Sequence, residues 1–488
     1  MSEEYLLGID VGTLGVKGSL ISSDGKAISS SFIEHDVLTP KPGWSEQDPD
    51  KHWWGDTVRV IRGILSSARI KASSIKAIGV SGLFPDMCPL DADGRPVRYA
   101  ILYSDNRSIE ETNYLNKVYG WNITTEEVIS KVLWFMKHEP ERFKKTKMIL
   151  NAPNYVTYKL TGVYSMDYLL ASCFGGVYDD ARKQWKIDVL KELKIPPDIL
   201  PSTYPSTKVI GTVTKQSARI TGLKEGTPVI AGTGDVFTTM LSSKIINVGD
   251  TLIYYGTAGL CIILTMDLND LFLGNYSNFS DCMFQATYVL TTGELLKWFV
   301  NEFLKYEEAF IKNHDLNIYS LLDNKAQDIE PGSHGLIVIP YFRGERLPKF
   351  NPNAKGMIFG LTTYHTLYHI YRAMLESFGY MVRLGIEDAK NKDILPKRLI
   401  ASGGGAKSAL WRQIVSDIIN MPQQYVAGVD ASIGSAFLAG LGVKLIQDIK
   451  EINKWVETTD ITYPRPEIHE KYEGLYREFL RFHSLLFE

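Results

Sequence analysis

The stretch Gly8-Ile9-Asp10-Val11-Gly12-Thr13, with Lys17 shortly after it, gathers residue types that phosphate chemistry uses. Asp10 offers a carboxylate to a magnesium ion, directly or through water, and Gly12 and Thr13 offer amide and hydroxyl donors to phosphate oxygens. Lys17 either adds positive charge to that site or is a solvated strand lysine. Two further glycine-rich turns, at Gly256-Thr257 and at Gly403-Gly404-Gly405 with Ser408 behind it, have the same property. Without a Cβ the backbone approaches an anion closely and aims its N–H groups at it, although each turn alone also reads as an ordinary hairpin or helix entry. No GxxxxGK[ST] and no GxGxxG is present, which disfavours the two commonest nucleotide-binding folds. Gly232-Thr233-Gly234-Asp235 puts a carboxylate just before a helix, and on local pattern alone that is a helix N-cap. The histidines are dispersed without the context of a Ser or Cys nucleophile, and none is assigned a role.

The elements that must carry these groups alternate between strand and helix. Tyr5 to Ile9 and Val16 to Ser22 predict a hairpin with a glycine-rich tip, its first strand broken at Asp10 and Gly12. Helical periodicity covers Trp53 to Arg69, and a buried strand runs from Ile75 to Val80. Pro228 to Ala231 is a strand emptying into the Gly232 turn; Thr251 to Tyr255 and Leu260 to Leu264 repeat the first hairpin around Gly256. A long amphipathic helix spans Thr366 to Glu387, and Leu399 to Ala401 is a strand followed by a helix from Ser408 to Ile419. The two matching hairpins predict two related α/β domains facing one cleft, divided near Lys244 into residues 1–243 and 244–488.

Composition sets the outer bounds. The 488 residues are 44% hydrophobic and 22% charged with a net charge of -3, the balance of a globular enzyme rather than a nucleic-acid binder. The four cysteines never form a CxxC pair, so neither a zinc site nor a disulfide framework is indicated, and a reducing cytoplasm suits them. No apolar run is long enough to span a membrane, and the acidic start at Glu3 and Glu4 does not resemble a signal peptide.

Taken in order, these segments resemble the FGGY family of carbohydrate kinases, most closely its xylulose kinase branch. Besides the Asp10 segment, Pro42-Gly43-Trp44-Ser45-Glu46-Gln47-Asp48-Pro49 with Trp53-Trp54 is similar to that branch's signature. Lys131-Val132-Leu133-Trp134, Tyr158-Lys159-Leu160-Thr161-Gly162, Tyr341 to Pro348 (YFRGERLP), Asn351 to Gly356 and Gly403 to Ser408 are similar to later family motifs. The resemblance implies a pair of actin-like, ribonuclease-H-like α/β domains around a central cleft, the fold shared by sugar kinases, Hsp70 and actin. It implies ATP and Mg2+ as cofactors and a sugar acceptor, with no nucleic-acid or membrane partner, and it makes a homodimer one expected assembly. Asp235 becomes the catalytic base, Asp10 the metal ligand, and Gly12, Thr13, Lys17, Gly256, Thr257, Gly403, Gly404, Gly405 and Ser408 the ATP site.

One departure bears on the acceptor. Xylulose kinases read SGQMHG where this chain has Ser81-Gly82-Leu83-Phe84-Pro85-Asp86, in a loop that lies against the sugar in the family. Phe84, Asp86, Tyr103 and Asp105, beside Asp235, become the sugar-side residues, with a buried tyrosine and a surface ion pair as the plainer reading of Tyr103, Asp105 and Arg107. The expected acceptor is a ketopentose such as xylulose. Gluconate, another ketose, a short polyol, a non-catalytic sensor and a protein-partnered ATPase of the actin or Hsp70 kind stay open.

Overall fold

The computed structural model describes residues 4–312, 317–345, 347, 351 and 353–485. Arg346 and Pro348 of the YFRGERLP segment, and Pro352 after it, lie outside the described residues. The chain divides into two compact units, each made of three stretches. The first comprises Met1–Ile246, Leu268–Phe279 and Asp430–Val456; the second comprises Asn247–Asp267, Ser280–Val429 and Glu457–Glu488.

In the first unit a seven-stranded sheet is built on the hairpin β1 (Tyr5–Gly12) and β2 (Gly15–Ser22), with β3 (Ala27–Glu34) at one edge. Asp10 and Gly12 lie inside β1 and do not break it. Helix α1 (Asp56–Ala68), preceded by a π-helical turn at Pro49–Gly55, sends Val60, Ile61 and Ile64 into a core shared with Leu7, Ile9 and Leu20. On the far side of β1 the sheet continues in parallel with β4 (Ile75–Gly82). Beyond β4 the chain forms helix α2 (Ala152–Thr161), the antiparallel pair β5 (Val209–Thr212) and β6 (Pro228–Ile230), the short β7 (Thr233–Gly234) beside β4, and helix α3 (Asp235–Ser242). β1 and β4 are almost wholly buried, which is why their sequences run apolar without alternation.

The second face of this sheet is covered from far along the chain, by the helix Ala431–Gly442. A Cβ at Gly8 would lie 1.7 Å from the Ser432 carbonyl oxygen, and one at Gly79 would lie 2.0 Å from that of Ser435. Glycine at both strand positions lets the helix backbone rest directly on the sheet. This contact explains why Asp430–Val456 belongs to the first unit, where a single cut near residue 244 assigns it to the second half.

The second unit repeats the plan with six strands. β8 (Asp250–Tyr255) and β9 (Gly259–Leu264) form the hairpin and β10 (Met283–Val289) is the outer antiparallel strand. The long helix α4 (Leu367–Asn391), capped by Thr366 and His369, crosses its core. β11 (Arg398–Ser402), helix α5 (Ala409–Ile419), β12 (Gln423–Val426) and β13 (Thr458–Thr462) complete the unit, with β11 parallel to β8. Among the described residues no helix is long and apolar enough to cross a membrane.

Candidate active site

Strand pairing sets the first cluster. Register across the sheet puts Lys17 and Ser81 on either side of Asp10, and the Ser81 hydroxyl donates to the Asp10 carboxylate at 2.8 Å. Lys17 turns to Asp430, which caps the Ala431–Gly442 helix by accepting from Ser432 N–H at 2.8 Å. Sequence reasoning missed Asp430. Its signal, an aspartate before a helix of small residues, is indistinguishable locally from any cap.

The loop that carries Asp235 runs alongside the end of β4, with Thr233 beside Ser81 and Gly234 beside Gly82. Gly232 enters it at φ +78, a conformation that only glycine adopts without strain. The N-cap position falls on Gly234, and Asp235 is the first helical residue. Asp235 as a residue is half-buried, and protein atoms surround its carboxyl densely. Burial pushes the Asp235 carboxyl above the ordinary carboxylate range, against hydrogen bonds from the N–H groups of Val236 and its own residue. Burial also raises Asp10, which the negative charges of Asp235 and Asp430 raise further while Ser81 and Lys17 work the other way. Three carboxylates thus share one neighbourhood with one lysine.

The sugar-side candidates differ in what the fold leaves them free to do. The Phe84 ring stacks on Phe237 with centroids 5.4 Å apart, which holds the loop after β4 against helix α3. Asp86 is fully buried. One of its oxygens accepts from Ala152 N–H at 3.3 Å, whereas Oδ2 finds no partner among the described residues, and burial raises the carboxyl well above its usual range. Asn151 donates to the Asp86 carbonyl oxygen, but its own Oδ1, and both polar atoms of the Asn154 side chain, are buried without partners among the described residues. Buried polar atoms are nearly always satisfied, so this cluster at the start of α2 is prepared for a ligand group or ordered water. Asn151 and Asn154 read in the sequence only as helix-start residues.

Tyr103 brings its hydroxyl to 3.5 Å from Thr13 Oγ1, at the tip of the first hairpin. Asp105 is committed elsewhere. Its two oxygens accept from the backbone N–H of Ser45 (2.6 Å) and Arg107 (2.9 Å), and from Arg107 Nε (2.8 Å) and Nη2 (2.7 Å), which fills the capacity of a carboxylate. Arg107 in turn stacks 3.6 Å from the Trp44 ring and pairs with Glu46 at 2.8 Å. The ion pair is therefore buried rather than superficial, and it locks the WSEQDP segment to the segment after β7's neighbour strand β4.

In the second unit the tip of the β8–β9 hairpin is anchored by a helix start. Gly293 N–H donates to the Gly256 carbonyl at 2.9 Å, and Thr292 and Glu294 N–H donate to that of Thr257 at 3.0 and 3.1 Å. Gly403 follows β11 at φ +96 with its Cα against the Tyr255 backbone, and Gly404 has open space where a Cβ would be. Ser408 caps α5 by accepting from Trp411 N–H at 3.0 Å. The structure therefore gathers Gly256, Thr257 and Gly403 to Gly405 at the ends of β8 and β11, and Asp10, Gly12, Thr13, Phe84, Asp86, Tyr103 and Asp235 at the ends of β1, β4 and β6.

Comparison with known proteins identifies the family. Residues 5–242 match the N-terminal domain and residues 251–443 the C-terminal domain of the FGGY family of carbohydrate kinases. The chain is 28% identical to the xylulose kinase of Bacillus subtilis (strain 168), over 97% of its own length and 95% of that protein. It is 27% identical to the gluconokinase of Bacillus licheniformis, over 98% and 95%. The crystal structure of xylulose kinase from Rhodospirillum rubrum superposes with a TM-score of 0.85 at 26% identity, covering 99% of each chain. The fold is thus the two-domain, actin-like sugar kinase fold, and the chain belongs to the FGGY family of carbohydrate kinases, phosphotransferases with an alcohol group as acceptor.

Proposed function

We propose that the protein transfers the γ-phosphate of ATP to a primary hydroxyl of a neutral ketose, with a ketopentose such as xylulose as the first candidate. The observation that carries the reading is the meeting of Asp235, on the first turn of α3, with the Ser81–Asp86 loop through strand pairing and the Phe84 ring. Asp235 orients the acceptor hydroxyl and takes its proton, a role that suits a carboxyl raised toward neutrality by burial. Gly12, Thr13 and Lys17 at the first hairpin, and Gly256 and Thr257 at the second, are the phosphate ligands of this reading; Gly403, Gly404, Gly405 and Ser408 are its adenosine ligands. Tyr103 and Phe84 shape the acceptor side, Asp86 with Asn151 and Asn154 receives sugar hydroxyls, and Asp105 acts as a positioning residue through Arg107.

Among the described residues no group of three or more His, Cys, Asp or Glu side chains is arranged to hold a metal ion alone. Mg2+ rarely uses such a cage; it takes one or two carboxylates and completes its shell with water and phosphate. Asp10 fits that requirement, because its carboxylate lies in the field of Asp235 and Asp430 with little positive charge to offset them. Asp10 would hold Mg2+, which when bound neutralises the charge of the transferred phosphoryl group. ATP as donor assigns the activity to the cytoplasm.

Charge favours a neutral sugar. The acceptor side carries Asp86 and Asp235, while the nearby cations are engaged: Arg107 by Asp105 and Glu46, and the buried Lys131 by the Thr125 carbonyl at 2.7 Å and that of Glu126. With those cations engaged a sugar carboxylate would find little to balance its charge there, whereas hydroxyls meet polar partners. The 27% identity to a gluconokinase favours a sugar acid as the second reading. ADP release measured with a panel of ketoses, polyols and aldonates decides between them. Stimulation by pentuloses is expected, and stimulation by gluconate alone would overturn the neutral-sugar reading.

A further inference from the structure

His35, just after β3, is buried with both ring nitrogens facing oxygen acceptors. Nδ1 lies 2.8 Å from Asp56 Oδ2, and Nε2 lies 3.2 Å from the carbonyl oxygen of Gly12 at the tip of the first hairpin. The ring therefore bridges the Asp56 carboxylate and the hairpin tip. We propose that His35 is a positioning residue of the kinase reaction, held in place by Asp56 and fixing the Gly12–Thr13 peptide for phosphate binding. This role rests on the reading above that the hairpin tip takes the phosphates of ATP.

Two further elements hold the ring. From α1, Asp56 faces His35 and also pairs with Arg59. From the π-helical turn, His52 stacks on His35 with centroids 5.0 Å apart. Burial, then the neighbouring His35 and Lys51, push His52 below its ordinary value, against Asp56 and Asp48.

The consequence for phosphate follows from peptide planarity. In a trans peptide the C=O and the next N–H point in opposite directions, so a Gly12 carbonyl drawn toward His35 turns the Thr13 N–H the other way. Gln47 makes the second anchor. Its Nε2 donates to the Thr13 carbonyl at 2.7 Å while its Oε1 accepts from Trp53 Nε1 at 2.8 Å, and the Trp53 donor fixes which end of the amide faces the tip. The β8–β9 hairpin uses the same device with the backbone N–H groups of residues 292–294. In both hairpins the tip carbonyls are drawn back into the protein, which leaves their amides to the anion.

The test compares nucleotide affinity with sugar affinity in the full-length protein. Calorimetric titration of His35→Gln with ATP is expected to give a Kd raised about tenfold, while the KM for the sugar is unchanged. Asp56→Ala, which frees the ring, should weaken ATP in the same way with the sugar KM unchanged, a split that a merely structural residue would not produce. A folded His35→Gln protein that binds ATP normally while Gly12→Ala weakens binding would overturn the proposal. Should Gly12→Ala also leave ATP binding unchanged, the phosphate reading of the hairpin falls, and with it the role given to His35.

Discussion

The ring of Phe84 lies against the backbone of Gly234, so that a Cβ added to residue 234 would sit 2.2 Å from it. The loop that departs from the xylulose kinase pattern is therefore in direct contact with the turn that presents Asp235. Acceptor recognition and proton transfer share one packing contact, and altering either residue should disturb both.

Gly234→Ala is expected to push Phe84 aside and to shift the first turn of α3. A displacement of about 1 Å at a reacting group costs on the order of 100-fold in rate. Steady-state kinetics should show kcat lowered by that order and the sugar KM raised, with ATP affinity intact by calorimetry. Unchanged kinetics in the folded variant would mean that the Phe84 contact does not position Asp235.

Asp235→Asn should lower kcat by roughly 100- to 10,000-fold, the usual yield of a general base, while ATP still binds. It should also reveal the cost of the buried charge. A carboxyl whose folded pKa is raised binds more protons folded than unfolded, so its contribution to stability declines as pH rises from the ordinary carboxylate range to the raised value. The asparagine variant should melt above the native protein at pH 8, by a margin that shrinks toward pH 4. A constant margin across that range would contradict the raised carboxyl.

Asn154→Leu replaces a buried amide that has no partner among the described residues by an apolar side chain of similar size. Removing unsatisfied polar atoms relieves a penalty of about 1–3 kcal/mol, so the melting temperature should hold or rise. If Asn154 receives a sugar hydroxyl, the sugar KM should rise about tenfold or more. A normal KM with a raised melting temperature would leave the site to ordered water.

Asp105→Ala leaves Arg107 as a buried cation with fewer partners. Breaking such a pair costs about 3–5 kcal/mol, so differential scanning calorimetry should record a clear fall in melting temperature. Normal melting with a raised sugar KM would return Asp105 to the sugar contacts.

Much of this molecule could be read from local pattern. Both hairpins and the Gly232 turn are written in glycines and apolar runs a few residues long, and such signals survive without knowledge of the rest of the chain. The contacts that were not legible are those made at long range. Asp430 meets Lys17, and the Ala431–Gly442 helix rests on Gly8 and Gly79, from more than half the chain away, so a boundary drawn in one place near residue 244 could not capture them. Asp105 shows the same limit. Its type and place fit a sugar contact, and only the converging donors of Ser45 and Arg107 reveal that its lone pairs are taken.

The glycine seats for the Ala431–Gly442 helix also bear on how the protein is made. A ribosome delivers β1 and β4 long before the helix that covers their second face. Until then the nascent first unit displays an uncovered apolar face, a target for chaperones and a hazard for aggregation. Chains stopped before residue 456 should accumulate in the insoluble fraction or on chaperones, and neither unit should be obtainable by a single cut of the gene.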